Sequence, residues 1–199
     1  MNDVLKKVEL YVKEYFKKNF NDKMIYHNLN HTTEVINIVK LIGESEGLNS
    51  DDLEIILIAG WFHDLGHFDI CHGHEKISSS IAKEFLEKEN YPDEKIEKVI
   101  GCICATKIPQ NPKNQVEKIL CDADLHHLGL SGVEKRGKIL REEFEKRNIK
   151  KFSDVEWLES SIKFFSEHMY FTNYAKQHFG GQKKMNLQIL KDKLKKISE

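Results

Sequence analysis

Four short stretches of this chain are crowded with side chains that bind metal ions or move protons: Tyr26-His27-Asn28-Leu29-Asn30-His31, His63-Asp64-Leu65-Gly66-His67, His72-Gly73-His74-Glu75 and Asp122-Ala123-Asp124-Leu125. Imidazoles and carboxylates drawn from separate segments can together hold a divalent ion. Such an ion polarises a phosphoryl oxygen and generates hydroxide near neutral pH. The donors are nitrogen and oxygen with no thiolate among them, which argues against a closed structural zinc site. It suits manganese, iron, cobalt, nickel, zinc or magnesium better than calcium. One ion is expected, with room for a second.

Helices must position these stretches. Hydrophobic periodicity is helical almost everywhere, no strand pattern stands out, and the three prolines are Pro92, Pro109 and Pro112. The chain therefore reads as all-α, with its clearest break at Pro109-Gln110-Asn111-Pro112. A first helix is predicted over about 4–19, with Leu5, Val8, Val12 and Phe16 on one face. A second begins near Tyr26, carries Val35, Ile38, Val39 and Ile42, and ends at about 43–47. The third, capped by Ser50 or Asp51, runs through Leu53, Ile56, Leu57 and Gly60 and stops at Gly66; being apolar on most sides, it is expected at the centre. Further helices are predicted over about 74–90, 92–105, 115–124, 133–147 and 153–168, with a short C-terminal helix after Gly180-Gly181.

The registers of these helices point the polar residues inward. Counting back by four from Val35 gives His31, and by four again His27, on the face the aliphatic residues mark as core. Asp64 lies four residues after Gly60 and eight after Ile56, with His63 beside it, and Asp124 lies four after Leu120. A carboxylate on a buried stripe costs several kcal/mol in desolvation unless a cation or several donors compensate it. No lysine or arginine occupies those faces, so a divalent ion shared by His31, His63, Asp64 and Asp124 resolves the charges together.

Composition narrows the partners. A length of 199 residues with 40% hydrophobic content suits one domain over 1–199, and 31 basic against 32 acidic residues give a net charge of -1. Such a balance creates no field to gather nucleic acid or an anionic membrane, so a small soluble ligand is expected. The longest apolar run, Ile55 to Phe62, is far short of the ~20 residues a membrane span needs. Cys71, Cys102, Cys104 and Cys121 lack paired metal spacing and no secretory leader is evident, so a reducing cytoplasm is the expected setting.

From about Tyr26 to Gly129 the residues resemble the HD superfamily of metal-dependent phosphohydrolases, in which a first histidine, a His-Asp pair and a late aspartate bind the ion in a compact all-helical bundle. The resemblance implies His31, His63, Asp64 and Asp124 as ligands, a metal-binding core over about 26–129 and C-terminal helices over 131–199 completing the bundle. Asp122 is then a residue behind the ligands or at the helix end. Tyr26-His27-Asn28, His63-Asp64-x-x-His67, Ala105-Thr106 and Cys121-x-Ala123-Asp124-Leu125 are similar to the cyclic-nucleotide phosphodiesterase branch. That likeness implies His27 as general acid and His67 in support of a second ion's water shell. A second ion is expected to share Asp64, with His74, Glu75 or Asp122 as further candidates beside it. The chain is shorter than those catalytic domains and shows no clear purine-clamp glutamine. A general phosphohydrolase acting on phosphate mono- or diesters of nucleotides or other small molecules fits its length better.

Anion contacts are sought among Arg136, Arg141 and Arg147 of the helix after Asp124, Arg141 first, and at Lys107. The aromatic run from His168 to Tyr174 either stacks on a base or packs as a C-terminal lid, the second being favoured. Two other functions use the same residues: an HD-type di-iron oxygenase, and a nucleotide sensor without turnover. The surface helices leave room for a homodimer, though no heptad seam is evident.

Overall fold

The computed structural model describes residues 3–198. It is built of α1 (Asp3–Lys18), α2 (Leu29–Ser45), α3 (Ser50–Phe62), α4 (His74–Lys88), α5 (Asp93–Ala105), α6 (Gln115–Asp124), α7 (Val133–Lys146), α8 (Asp154–Glu167) and α9 (Asn173–Ser198). Short 3-10 turns follow α3 at Leu65–Phe68 and α6 at His126–Gly129, and no strand occurs among the described residues. None of the described helices is long and apolar enough to cross a membrane.

The central helix is α3, as its all-round apolar composition predicts: every residue from Ile55 to Phe62 is buried. The α1, α2, α4, α5 and α6 helices pack against it, and their inward stripes join it in one core that includes Val8, Val12, Val35, Val39, Ile96, Ile103 and Leu120. Burying one such side chain contributes ~1.5–3 kcal/mol. Asparagines set the helix starts: the Asn49 side chain accepts from Asp52 N at 2.8 Å, and Asn114 caps α6 through Glu117 N at 3.0 Å. The third helix is thus capped by Asn49, one residue before the expected Ser50.

The last three helices close over the C-terminal end of α6. A second apolar cluster of Leu125, Leu128, Val133, Leu158, Phe165 and Leu190 lies beneath them. Polar straps complete the attachment. Asp122 accepts from Phe171 N at 2.9 Å and from Thr172 N and Oγ1 at 2.7 Å, Tyr170 donates to the carbonyls of Leu125 and His126, and Asn186 donates to Leu128 O and Leu130 O. Within the aromatic run, Tyr170 packs as the favoured expectation has it, buried against Phe179, while Met169 is exposed.

The expected short C-terminal helix after Gly180-Gly181 is corrected by the structure, in which α9 runs unbroken through both glycines. Each glycine costs a helix ~0.5–1 kcal/mol relative to alanine, and contacts on either side outweigh that. Ala175 and Phe179 sit in the main core and Leu190 in the second cluster. Gly129 is what lets α9 come so close, since a Cβ there would lie 2.4 Å from Phe179 O. At exposed Gly181, by contrast, an added Cβ meets open space. Gly181→Ala is therefore expected to stabilise the protein by ~0.5–1 kcal/mol, a rise of roughly 1–4 °C in Tm; an unchanged or lowered Tm in a thermal melt would refute a continuous helix at this point.

Candidate metal centre

The inward stripes converge where α2, the end of α3 and the end of α6 meet. One ligand-capable atom from each of His31, His63, Asp64 and Asp124 lies within 4.8 Å of all the others. His31 Nε2 is 3.4 Å from Asp64 Oδ2 and 3.3 Å from Asp124 Oδ1. His63 Nε2 is 3.2 Å and 3.6 Å from the same two oxygens.

The donor set fits a cation on an observation independent of residue type. His63 is fully buried and its Nδ1 is bonded to Gly60 O at 2.8 Å, which commits the Nδ1 proton to that carbonyl and turns the Nε2 lone pair toward two carboxylates. Nε2 has no hydrogen-bond partner. A neutral ring so placed is repelled unless a positive charge sits between ring and carboxylates. Protons fill that role in the metal-free protein. Burial alone would lower His31, but hydrogen bonds to Asp124 and Asp64 outweigh it and raise its pKa from 6.5 to about 9. His63 is raised likewise, burial being overcome by Asp64 and Asp124. The two carboxyls, which burial would raise, are instead held well below the usual carboxylate range by these imidazoles.

Asp64 also serves a second group. While its Oδ2 faces His31 and His63, its Oδ1 lies 3.8 Å from His67 Nε2 and 3.4 Å from His74 Nε2. His27, Asp64 and His67 offer a second set of atoms within 4.8 Å of one another. The rings of His27 and His67 stack at 3.8 Å, and those of His67 and His74 at 3.6 Å. Burial, then the neighbouring His27, pushes His67 well below the usual imidazole value, whereas Asp64 outweighs burial to raise His74. Gly66 makes this arrangement possible: a Cβ there would fall 2.1 Å from His74 O, and its N–H donates to Ser78 Oγ at 2.9 Å. Buried Glu75 stands beside His74 with one carboxylate oxygen unpartnered.

His27 reaches the site by a different route from the expected one. The Asn28 side chain accepts from Asn30 N and His31 N, so α2 begins at Leu29 rather than near Tyr26, and His27 lies outside the helix. Glu143 of α7 holds it instead. Glu143 is fully buried, bonds His27 Nδ1 at 2.5 Å, and accepts from Tyr26 N at 2.7 Å and His27 N at 3.0 Å. Burial would raise the Glu143 carboxyl, but these bonds hold it below its usual value. Arg147 sits 3.4 Å from Glu143 and donates to His67 O at 2.5 Å.

Other expected residues lie elsewhere. Asp122 is turned away from the cluster to residues 171–172, a strap rather than a neighbour of the ion. Arg141 is not at the site: it donates to Asp154 at 2.6 Å and to Phe152 O at 2.5 Å. Arg136 pairs with Glu34. Lys107 does line the 350 Å³ cavity into which the cluster opens, together with Ile108, Leu140, Phe144 and Phe164. A larger cleft of 520 Å³ between Phe16, Phe20 and Phe68 shares His27 and none of the other cluster residues. Glu143, Arg147 as its partner, and His127 were not singled out by sequence. The His127 ring nitrogens meet Tyr26 Oη at 3.1 Å and Asp124 O at 3.2 Å, and burial lowers its pKa to about 3. Its position three residues after Asp124 was the available signal; Glu143 sits in a charge-dense helix that offers none.

Comparisons with known proteins agree with this geometry. The sequence model of the HD domain family matches residues 28–129. A deoxyguanosinetriphosphate triphosphohydrolase-like protein of Clostridium tetani is 34% identical over 104 residues, which is 52% of this chain but only 26% of that relative's length. Among solved structures, a Lactobacillus plantarum protein superposes with a TM-score of 0.72 at 13% identity, covering 100% of this chain and 99% of its own. Bacillus subtilis YpgQ, in complex with ADP, gives 0.63 at 17% identity, covering 97% of both chains. A predicted HD superfamily hydrolase from an uncultured Thermotogales bacterium gives 0.61 at 17% identity, covering 96% and 91%. At these identities the structural likenesses establish the fold.

The raised imidazoles set the pH dependence of metal uptake. With its pKa moved from 6.5 to about 9, His31 still holds its proton at neutral pH in the metal-free protein, so an entering ion must expel it and binding tightens as pH rises. Calorimetric titration of chelator-stripped protein with Mn(II) at neutral pH is expected to give heats that depend on the buffer's ionisation enthalpy. Identical heats in weakly and strongly ionising buffers would show that no proton leaves.

Proposed function

The chain belongs to the HD domain family, and from that premise we propose that it is a metal-dependent phosphohydrolase cleaving a phosphate mono- or diester of a nucleotide or similar small molecule. The observation that carries this reading is the convergence of His31, His63, Asp64 and Asp124 with a buried, unpartnered His63 Nε2 at its centre. These four are the proposed ligands of a first divalent ion. The opposed oxygens of Asp64 support a second, bounded by His67 and His74. Bound there, a divalent ion supplies Lewis acidity to the phosphoryl oxygens and a hydroxide near neutral pH.

The protein's own side chains do the rest. His27, fixed at Nδ1, has Nε2 left to protonate the departing oxygen, the role implied by the phosphodiesterase-like Tyr26-His27-Asn28. Lys107 at the cavity mouth supplies charge to a phosphate, and Leu140, Phe144, Phe164 and Ile108 enclose the organic part. A volume of 350 Å³ suits a small ligand. The nucleotide preference is supported by the name of the Clostridium relative and by the ADP held by YpgQ. Because α7 and α8 furnish cavity walls, the catalytic unit on this reading is the whole chain rather than 26–129 alone.

Asp64→Ala is expected to lose both bound metal, by elemental analysis, and hydrolysis, across a panel of mononucleotides, cyclic nucleotides and simple esters with manganese, nickel, magnesium and zinc. Full metal content and rate in that variant would sink the assignment. His27→Gln is expected to keep the metal while kcat falls about 100- to 10,000-fold, the usual worth of a general acid. Oxygen consumption by the iron-loaded protein, without hydrolysis, would favour the di-iron oxygenase instead.

A further inference from the structure

We propose that Glu143 and Arg147 are positioning residues for proton donation: Glu143 orients His27 through its Nδ1, and Arg147 ties that pair to the backbone of His67 across the site. This rests on the reading of His27 as the proton donor. The segment they act on has no regular structure of its own, since α2 starts only at Leu29. Nothing in the local backbone fixes the His27 ring, so its orientation is set from α7, more than a hundred residues away in sequence.

Glu143 is placed for that task, holding the His27 ring through one oxygen and the backbone that carries the ring through the other. A fully buried carboxylate is unfavourable unless saturated with donors, and it is surrounded by His27 Nδ1, the N–H groups of Tyr26 and His27, and Arg147 Nη1. Only Val133 and Glu143 of α7 are buried; Val133 joins the second apolar cluster, while at Glu143 a carboxylate stands where a hydrophobic residue would pack at lower desolvation cost. The Nδ1 bond selects the nitrogen that faces the substrate. It leaves Nε2 available while the ring face lies on His67 at 3.8 Å. Arg147 Nη2 donates to His67 O, so one helix fixes both members of that stack.

In the reaction the Nε2–H of the His27 imidazolium passes to the leaving oxygen as the P–O bond breaks, with the oxygen of water now bonded to phosphorus. His27 then regains a proton from solvent. Glu143 stays a carboxylate throughout and accepts the Nδ1–H, the geometry by which outer carboxylates orient histidines elsewhere.

Two esters of the same shape separate positioning from mere folding. p-Nitrophenyl phosphate releases a phenolate that departs unaided, whereas the phenolate of phenyl phosphate needs a proton. In the full chain loaded with Mn(II), Glu143→Gln is expected to lower kcat on phenyl phosphate roughly 10- to 100-fold, the range for losing an orienting partner. KM and metal content should be unchanged, and p-nitrophenyl phosphate should suffer much less. Equal loss on both esters would overturn the proposal, as would loss of metal, which would make His27 a ligand. His27→Gln run in parallel distinguishes the failures. If it too shows no leaving-group dependence, the proton-donor reading itself falls; if it alone shows the dependence, only the role of Glu143 falls. Should Glu143→Gln fail to fold, Arg147→Met, which leaves the carboxylate its other three donors, is expected to show the same bias toward the nitrophenyl ester, and its absence counts against the proposal.

Discussion

The carboxylate of Asp64 is the constraint around which this molecule is arranged. It is buried beside a second carboxylate, Asp124, in a position where desolvating either costs several kcal/mol. Like charges this close are tolerated only if positive charge enters among them. Protonated imidazoles supply that charge in the metal-free chain, and a divalent ion, were it bound there, would meet both carboxylates at once and leave the rings neutral. The N-terminus of α2, the end of α3 and the end of α6 must all arrive at one point for this to work, which the apolar packing around α3 secures.

Polar bonds secure the same point from the other side. Asp122, two residues before Asp124, is locked to Phe171 and Thr172, while Tyr170 and Asn186 bind the carbonyls that follow α6. The end of α6 is thus held between the main core and the C-terminal helices. Its position does not depend on the ion. Such pre-organisation is what a site needs if binding is to favour the transition state rather than reshape the protein.

The legible and illegible parts of this structure divide along physical lines. His31 and Asp124 were readable because each continues an apolar stripe of its own helix, through Val35 and Leu120; Asp64 reaches the cluster from just outside α3, which ends at Phe62 rather than at the expected Gly66, so register alone does not place it. Register also separates the two aspartates of α6: two residues apart on a helix means about 200° of rotation, so only one can face the cluster. Where side-chain bonds override register, the reading failed. Asn28 ends α2 before His27, and contacts on either side of Gly180-Gly181 hold α9 together across residues that local propensity would break. Helix α7 was opaque for a further reason: it joins the site through an ion pair, and a sequence in which charged residues fill most positions does not reveal that Glu143 is buried while Glu142 and Glu145 are not.

The two sides of Asp64 are chemically unequal, which bears on how the site is used. Around Oδ2 the rings of His31 and His63 are strongly basic, each lifted by two carboxylates. Around Oδ1, burial and then His27 push His67 well below the usual imidazole value, and His74 is lifted by Asp64 first, with the Cys71 carbonyl and Glu75 adding to it. The first side therefore gathers two carboxylates about its imidazoles, where the second has Asp64 with Glu75 beside it. The second side lies against the His27 ring, and His67 and His74 line the cavity there. A single carboxylate shared between two such groups fixes neither the His27 nor the His67 ring by itself, so those rings need orienting from elsewhere. In this chain α7 does that orienting.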